Sequence, residues 1–500
     1  MTATTLQKSP TRAASSTGSA SPTKRWWILA VLGVAQLMVV LDATVVNIAL
    51  PTAQTDLGFS DSARQWIVTA YALAFGSLLL IGGRIADMIG RKWVFIIGLV
   101  GFAVASAVGG AAVDVGMLIA ARAVQGAFAA LLAPAILSLL TTTFTEPAER
   151  SKAFGVFGAI AGAGASVGLL LGGFLTEYAN WRWTMFVNLI FAAVGLVGRL
   201  LMLEHSKATQ RAKLDLPGTL TVTAGLFALV YGFSHAETDG WRNGVTIGFL
   251  FAAVILLVAF VYLQRRASHP LLPLRIVLDR NRGGSYLAMF ISAVGMFAVF
   301  LFLTYYLQRS LGYSAVQTGV AFLPMTGSLV VVTSIISTVL VSRVSSRILI
   351  PSGMAVSALA MYLLTNVGLT SSYGSDILPA LVLLGVGLGL VFAPGFGLGT
   401  LGVQASDSGV ASATINTMQQ VGGSVGTALL NTIAASAATS YATSHAGAPL
   451  RLVAANAAIH SYTTAFWWAA GIFAAGALIV AAVLRSGVAQ PNPDARVAVH

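Results

Sequence analysis

Fourteen apolar runs, each long enough to cross a bilayer as a helix, follow one another along this chain. A membrane-spanning helix needs about 20 predominantly apolar residues. The runs lie near 27–49, 65–84, 93–112, 117–141, 152–176, 183–203, 216–236, 245–264, 286–308, 317–341, 347–369, 377–400, 408–436 and 463–485. The thirteenth, rich in Ala, Ser and Thr, is the weakest of the set. Hydrophobic residues make up 57% of the chain and charged residues 9%, against about 25% charged in a soluble domain. So few charges cannot clothe a water-facing surface, so most of the surface must face lipid or other helices. The first run is too long for a signal peptide, holds Asp42 and precedes many further spans, so it reads as the first transmembrane helix.

The net charge of +12 would suit a nucleic-acid partner, but the positions of the cations point elsewhere. With the N-terminus placed in the cytoplasm, most basic residues fall in inner loops and tails. Arg84, Arg91 and Lys92, then Arg150 and Lys152, then Arg265, Arg266, Arg275, Arg280 and Arg282 are examples. The outer loops hold Arg64, Arg182, Arg242, Arg309 and Arg451, and Arg122 lies within the fourth run. This is the positive-inside asymmetry, and a missed span would scramble it. The expectation is a multi-pass protein of the cytoplasmic membrane with both termini cytoplasmic and no nucleic-acid partner. There is no cysteine, so nothing follows about redox compartment.

An internal repeat shows at a shared offset. Gly164-Ala165-Ser166-Val167-Gly168 matches Gly422-Gly423-Ser424-Val425-Gly426, and Ala133-Pro134 matches Ala393-Pro394. Runs one to six thus resemble runs nine to fourteen. The expected fold is an all-α membrane protein of 14 transmembrane helices: two six-helix bundles plus two inserted helices. The divisions are 1–25, a disordered cytoplasmic tail; 26–204, the N-terminal bundle; 205–285, a linker with the two extra helices; 286–486, the C-terminal bundle; and 487–500, a second tail. Transport sites tend to lie between such halves.

Four motifs carry chemistry. Leu41-Asp42-Ala43-Thr44-Val45-Val46-Asn47-Ile48-Ala49-Leu50-Pro51 puts Asp42 inside an apolar helix, the only acid well inside a span. An ionised carboxylate is expensive there, which suits a group that takes up and releases a proton; a structural Asp bonded to a neighbouring helix is the other reading. Asn47 is a substrate contact or an interhelical bond. Gly83-Arg84-Ile85-Ala86-Asp87-Met88-Ile89-Gly90-Arg91-Lys92 joins runs two and three. Its glycines allow a tight turn, its cations anchor the inner surface, and Asp87 pairs with a cation or caps a helix N-terminus. Arg122-Ala123-Val124-Gln125-Gly126 places a guanidinium in a span, where it must find an acid, a carbonyl or water. It could tune the protonation of Asp42 or simply pack near an interface. Gly164, Gly168 and Gly172, with Gly173 next, share one helix face and permit close backbone approach.

Together these runs resemble the fourteen-span drug:proton antiporter family of the major facilitator superfamily. Residues 41–51 are similar to its first-helix motif, residues 83–92 to the superfamily's loop motif, and Arg122 to Gly126 to its fourth-helix motif. Trp181-Arg182-Trp183 with Phe186 and Asn188 resembles the start of its sixth span. Asp215 with Gly218, Tyr306 to Tyr313, and Asp407 to Gly423 also fit. The likeness runs from about residue 25 to 485. It implies alternating access around a central cavity, protons as the coupling ion at Asp42 and Arg122, and gating by Gly83, Arg84, Asp87, Gly90, Arg91 and Lys92. It implies no cofactor. Two departures stand out. The fifth-helix motif has Gly168-Leu169 where exporters of the family carry Gly-Pro, and the loop motif has Met88 and Ile89 where a basic residue and an aromatic are usual.

The function so implied is proton-coupled export of amphiphilic drugs or antibiotics, conferring resistance; a proton-coupled importer of a metabolite is the alternative. No second acid lies in runs nine to eleven, so a dication is a poor substrate candidate. Candidate cavity walls are Gln36, Asn47, Trp66, Tyr71, Tyr305, Tyr306, Phe322 and Asn416, although aromatic residues in a span also pack or sit at the interface. The six histidines lie in or near loops or the tail, so no catalytic cluster or metal site is expected. No Gly-x-x-x-x-Gly-Lys-Ser/Thr loop is present, which argues against ATP as the driving force. The partners expected are the bilayer and a small molecule, and the protein is expected to be monomeric.

Overall fold

A computed structural model describes residues 22–485, apart from 60, 203–214, 269, 341–342, 405–406, 446 and 448. Residues 1–21 of the first expected tail and the whole of the second, 487–500, therefore lie outside the described residues. Helices fill all fourteen predicted runs. In the first half they are α1 (Pro22–Leu57), α2 (Asp61–Ile89), α3 (Arg91–Gly110), α4 (Val115–Thr143), α5 (Pro147–Tyr178) and α6 (Trp183–Met202). The inserted pair is α7 (Leu216–Asp239) and α8 (Gly244–Arg266), followed by a short α9 (Leu274–Leu278). The second half holds α10 (Arg280–Ala298), continued by two π-helical turns to Ser310, then α11 (Ala315–Ala321) and α12 (Leu323–Ile335) as one span. It ends with α13 (Ser346–Leu364), α14 (Leu378–Gly399), α15 (Ser408–Ser444) and α16 (Leu450–Val483). Twelve spans are long and apolar enough to cross a membrane among the described residues. The other two expected positions belong to α5, of 32 residues, and α6, with its shorter apolar stretch Trp183–Gly198.

α1 begins four residues ahead of the expected boundary, and Arg25 donates to Glu149 of α5 at 2.9 Å. α1, α15 and α16 have 36, 37 and 34 residues. At 1.5 Å per residue each is longer than the roughly 30 Å hydrocarbon core, so all three extend past it.

The helix pairing repeats itself. α1 packs on α5, α6 and α4, and α10 packs on α15, α16 and α14. α4 holds α2 and α3 as α14 holds α12 and α13, and the α3–α6 pair matches α13–α16. The halves meet along two crossed seams, α2 with α15 and α5 with α12, which exchange under the same correspondence. The repeat read from a few glycines and prolines is thus a repeat of architecture. Pro134 in α4 and Pro394 in α14 sit at matching places inside their helices, where each removes a backbone bond. The inserted α7 packs on both α2 and α15, and α8 packs on α7. The outward face of α8 exposes Val254, Ile255 and Val258, as a lipid-facing helix must.

Candidate functional site

The glycine stripe of α5 seats α1. A Cβ on Gly164 would stand 2.7 Å from Val40 Cγ1, one on Gly168 would overlap the Thr44 hydroxyl, and one on Gly172 would stand 3.1 Å from Val45 Cα. Gly173 is also buried. Only glycine lets the two backbones approach so closely, and the turn of α1 held there carries Asp42. Gly422 and Gly426 of α15 seat α10 at Phe290 and Val294 in the same manner. In α4, a Cβ on Gly126 would meet the Tyr71 carbonyl of α2 at 2.5 Å, so this glycine brings Tyr71 in beside Arg122.

Asp42 lies in the middle third of α1 and is 1% exposed. Arg122 Nη1 donates to its Oδ2 at 2.6 Å and to Gln125 Oε1 at 2.7 Å. Gln125 Nε2 donates to Asp42 Oδ1 at 2.7 Å and to Ser106 Oγ at 2.7 Å. Asn188 Nδ2 donates to the same two oxygens at 2.8 and 2.9 Å. The Arg122 guanidinium lies over the Tyr71 ring, 4.2 Å from its centroid. Five helices thus converge on one carboxylate: α1, α2, α3, α4 and α6. A buried ion pair needs further hydrogen bonds to offset its desolvation, and the two amides supply three of them, two to Asp42 Oδ1 and one to Arg122 Nη1. Three buried polar atoms around the cluster have no hydrogen-bond partner: Arg122 Nε, Tyr71 Oη and Asn188 Oδ1.

At the end of the molecule carrying the α2–α3 loop, hydrogen bonds join the two halves. Asp87 Oδ1 accepts the Gly409 N–H of α15 at 3.2 Å and Arg91 Nη2 at 3.4 Å. Asp407, the residue ahead of α15, makes no cap of its own, so Asp87 supplies a carboxylate where the helix dipole favours one. Gly83 makes this possible, since a Cβ there would meet the Gly409 carbonyl at 2.6 Å. Ser138 and Ser408 hydroxyls are 2.8 Å apart, and Arg150 Nη2 donates to Thr400 O and Oγ1 at 3.1 and 3.0 Å. Phe157 meets Phe396 edge to face at 5.2 Å. Gly90, at φ 99, makes the turn into α3, and Arg84 is buried. Lys92 opens the first turn of α3 beside Arg91.

The sequence expectations meet the structure unevenly. Asp42, Arg122 and Tyr71 come together. Gln36 is buried on α1 with Oε1 unpartnered. Trp66 turns to the inserted pair, 6.1 Å from the Tyr231 ring. Tyr306 is wholly buried and donates to Gly368 O at 2.6 Å. Phe322 is wholly buried beside Phe300. Tyr305 lies near Arg309, and Asn416 donates to its own helix at Ser412 O. Of these residues, Tyr71 lies against the Asp42–Arg122 pair. The Asn47 and Leu169 side chains lie outside the described residues. Ser106 carried no signal in the sequence, and Asn188 carried one only through the pattern beginning at Trp181.

The family model described as Major Facilitator Superfamily matches residues 32–427. The chain is 48% identical over 463 residues to the puromycin resistance protein pur8 of Streptomyces alboniger, covering 92% of this chain and 90% of that one. It is 39% identical to the cephamycin export protein CmcT of Amycolatopsis lactamdurans, covering 85% and 88%. It is 33% identical to the tetracenomycin C resistance and export protein of Streptomyces glaucescens, covering 82% and 76%. Among solved structures it resembles the human organic anion transporter MFSD10 (TETRAN), with a TM-score of 0.59 at 14% identity, over 91% of this chain and 99% of that one. That likeness concerns the fold alone.

Proposed function

Since the chain belongs to the Major Facilitator Superfamily, we propose that it is a proton-coupled antiporter that exports amphiphilic antibiotics or drugs across the cytoplasmic membrane and so confers resistance. The observation that carries the coupling is the buried Asp42–Arg122 pair at 2.6 Å. The names of the similar proteins support the direction and the substrate class. The termini lie in the cytoplasm, which makes the end where Asp87, Ser138 and Arg150 tie the two halves together the cytoplasmic end, and this conformation one joined on the side of the cell interior.

The chemistry follows from the pair. With Asp42 ionised, Arg122 is neutralised and α1 is tied to α4. A proton on the carboxyl ends that attraction and leaves Arg122 able to attract an electron-rich group of the substrate or a water. Substrate and proton thus compete through one guanidinium, and each shifts the conformational equilibrium by its differential affinity for the two states. The test is accumulation of a panel of antibiotics, puromycin among them, in cells expressing the chain, with and without an uncoupler. Lowered accumulation that the uncoupler abolishes supports the reading. Raised accumulation would make the protein an importer. In proteoliposomes, Asp42→Asn must lose export against a gradient when a pH difference is imposed; retained export would remove Asp42 from the mechanism.

A further inference from the structure

Two amides close a ring around Asp42. Both Gln125 Nε2 and Asn188 Nδ2 donate to Asp42 Oδ1 and to Ser106 Oγ. An amide nitrogen has two hydrogens, so all four are shared between one carboxylate oxygen and one hydroxyl. A carboxylate oxygen offers about two lone-pair sites, so Oδ1 is full. The Arg122 bond at 2.6 Å reaches Oδ2 alone, and Oδ2 retains acceptor capacity.

We propose that Ser106 and Asn188 are positioning residues that direct the proton to Asp42 Oδ2 by filling Oδ1, so that protonation of Asp42 and its pairing with Arg122 exclude one another. A proton arriving at Oδ2 takes its remaining lone pair and turns it into an uncharged hydroxyl oxygen, a poor acceptor, so the charge-assisted N–H···O bond from Arg122 Nη1 gives way. Arg122 does not lose every partner, because Gln125 Oε1 at 2.7 Å and the Tyr71 ring remain. A proton on Oδ1 would leave the Arg122 bond in place. The hydrogen bond between α1 and α4 would then persist while the carboxyl loads and unloads, and protons would slip across without cargo. The ring of amides is what makes exchange obligatory.

The charged and titratable groups facing Asp42 are Arg122 from α4 and Tyr71 from α2. The middle turns of α3, α5 and α6 bring none, so the ring acts without a competing carboxylate. The Asn188 amide orientation is fixed by chemistry, because its oxygen turned toward Asp42 would set two acceptors against each other.

This inference rests on the reading of Asp42 as the coupling site, and the experiment separates the two. Proteoliposomes with a trapped pH indicator are given a pH gradient and no substrate. Wild type should hold the gradient. Asn188→Val, which frees one site on Oδ1, should dissipate it about tenfold faster, the factor that loss of one hydrogen bond to a charged group represents. Ser106→Ala removes a single oxygen and should show a smaller leak. Adding Asp42→Asn to either variant should abolish the leak. Gradients held as in wild type by both variants would overturn the positioning role, as would a leak that persists without Asp42. Coupled puromycin export that survives in Asp42→Asn alone would instead overturn the coupling reading beneath it.

Discussion

Asp87 Oδ1 accepts the backbone N–H of Gly409 at 3.2 Å, so a carboxylate on one half of the molecule caps a helix that belongs to the other. The bond exists only while the two halves meet at that end. Asp87→Asn keeps the shape and removes the charge, a loss of about 1 kcal/mol of charge–dipole attraction. The closed state should then be several-fold less populated. The chain lacks cysteine, so a single thiol at the buried Ser138 (Ser138→Cys) reports without background. Its labelling from the cytoplasmic side should quicken by that factor in the Asp87→Asn background.

Arg150 makes a second tie at the same end, through both oxygens of Thr400. Hydrogen bonds from a charged donor are worth about 1.5–3 kcal/mol. A double-mutant cycle of Arg150→Ala and Thr400→Val, read by the same thiol, should return a coupling energy of about 1 kcal/mol, since Thr400→Val leaves the carbonyl in place.

The Asp42–Arg122 pair should behave as a buried ion pair. Removing one partner strands the other, at a cost of about 3–5 kcal/mol. Arg122→Ala should therefore lower the thermal midpoint of the detergent-solubilised protein more than the double variant Asp42→Asn with Arg122→Gln does. Equal losses would show that Arg122 stabilises by packing rather than by pairing.

A methyl group added at Gly168 has nowhere to go but into the Thr44 hydroxyl. Gly168→Ala should cost about 1–3 kcal/mol by overpacking and should slow transport. Thr44→Ala in the same chain should recover part of both, because it removes the clashing oxygen.

The sequence revealed some layers of this molecule and not others, for physical reasons. Span positions follow from hydrophobicity, which is local. Asp42 and Arg122 were conspicuous because an ionised side chain in an apolar run has few affordable explanations. Gly164 and Gly168 were legible twice, as a face and as half of a repeat. Ser106 was not, since an isolated serine in a membrane helix says nothing until Gln125 and Asn188 reach it from α4 and α6. The aromatic candidates fared unevenly for a related reason. Tyr71, Trp66 and Tyr306 look alike in a string of letters, yet one lies beneath a guanidinium, one against α7 and one inside its own half.

The pairing of helices is duplicated between the halves, but the ionisable cluster is not. From α10 to α16 the acids are Asp376 and Asp407, and neither lies deep in a span. On the coupling role proposed for Asp42, every proton that drives the cycle passes through the first lobe, and the second answers it only through the seams where the two meet.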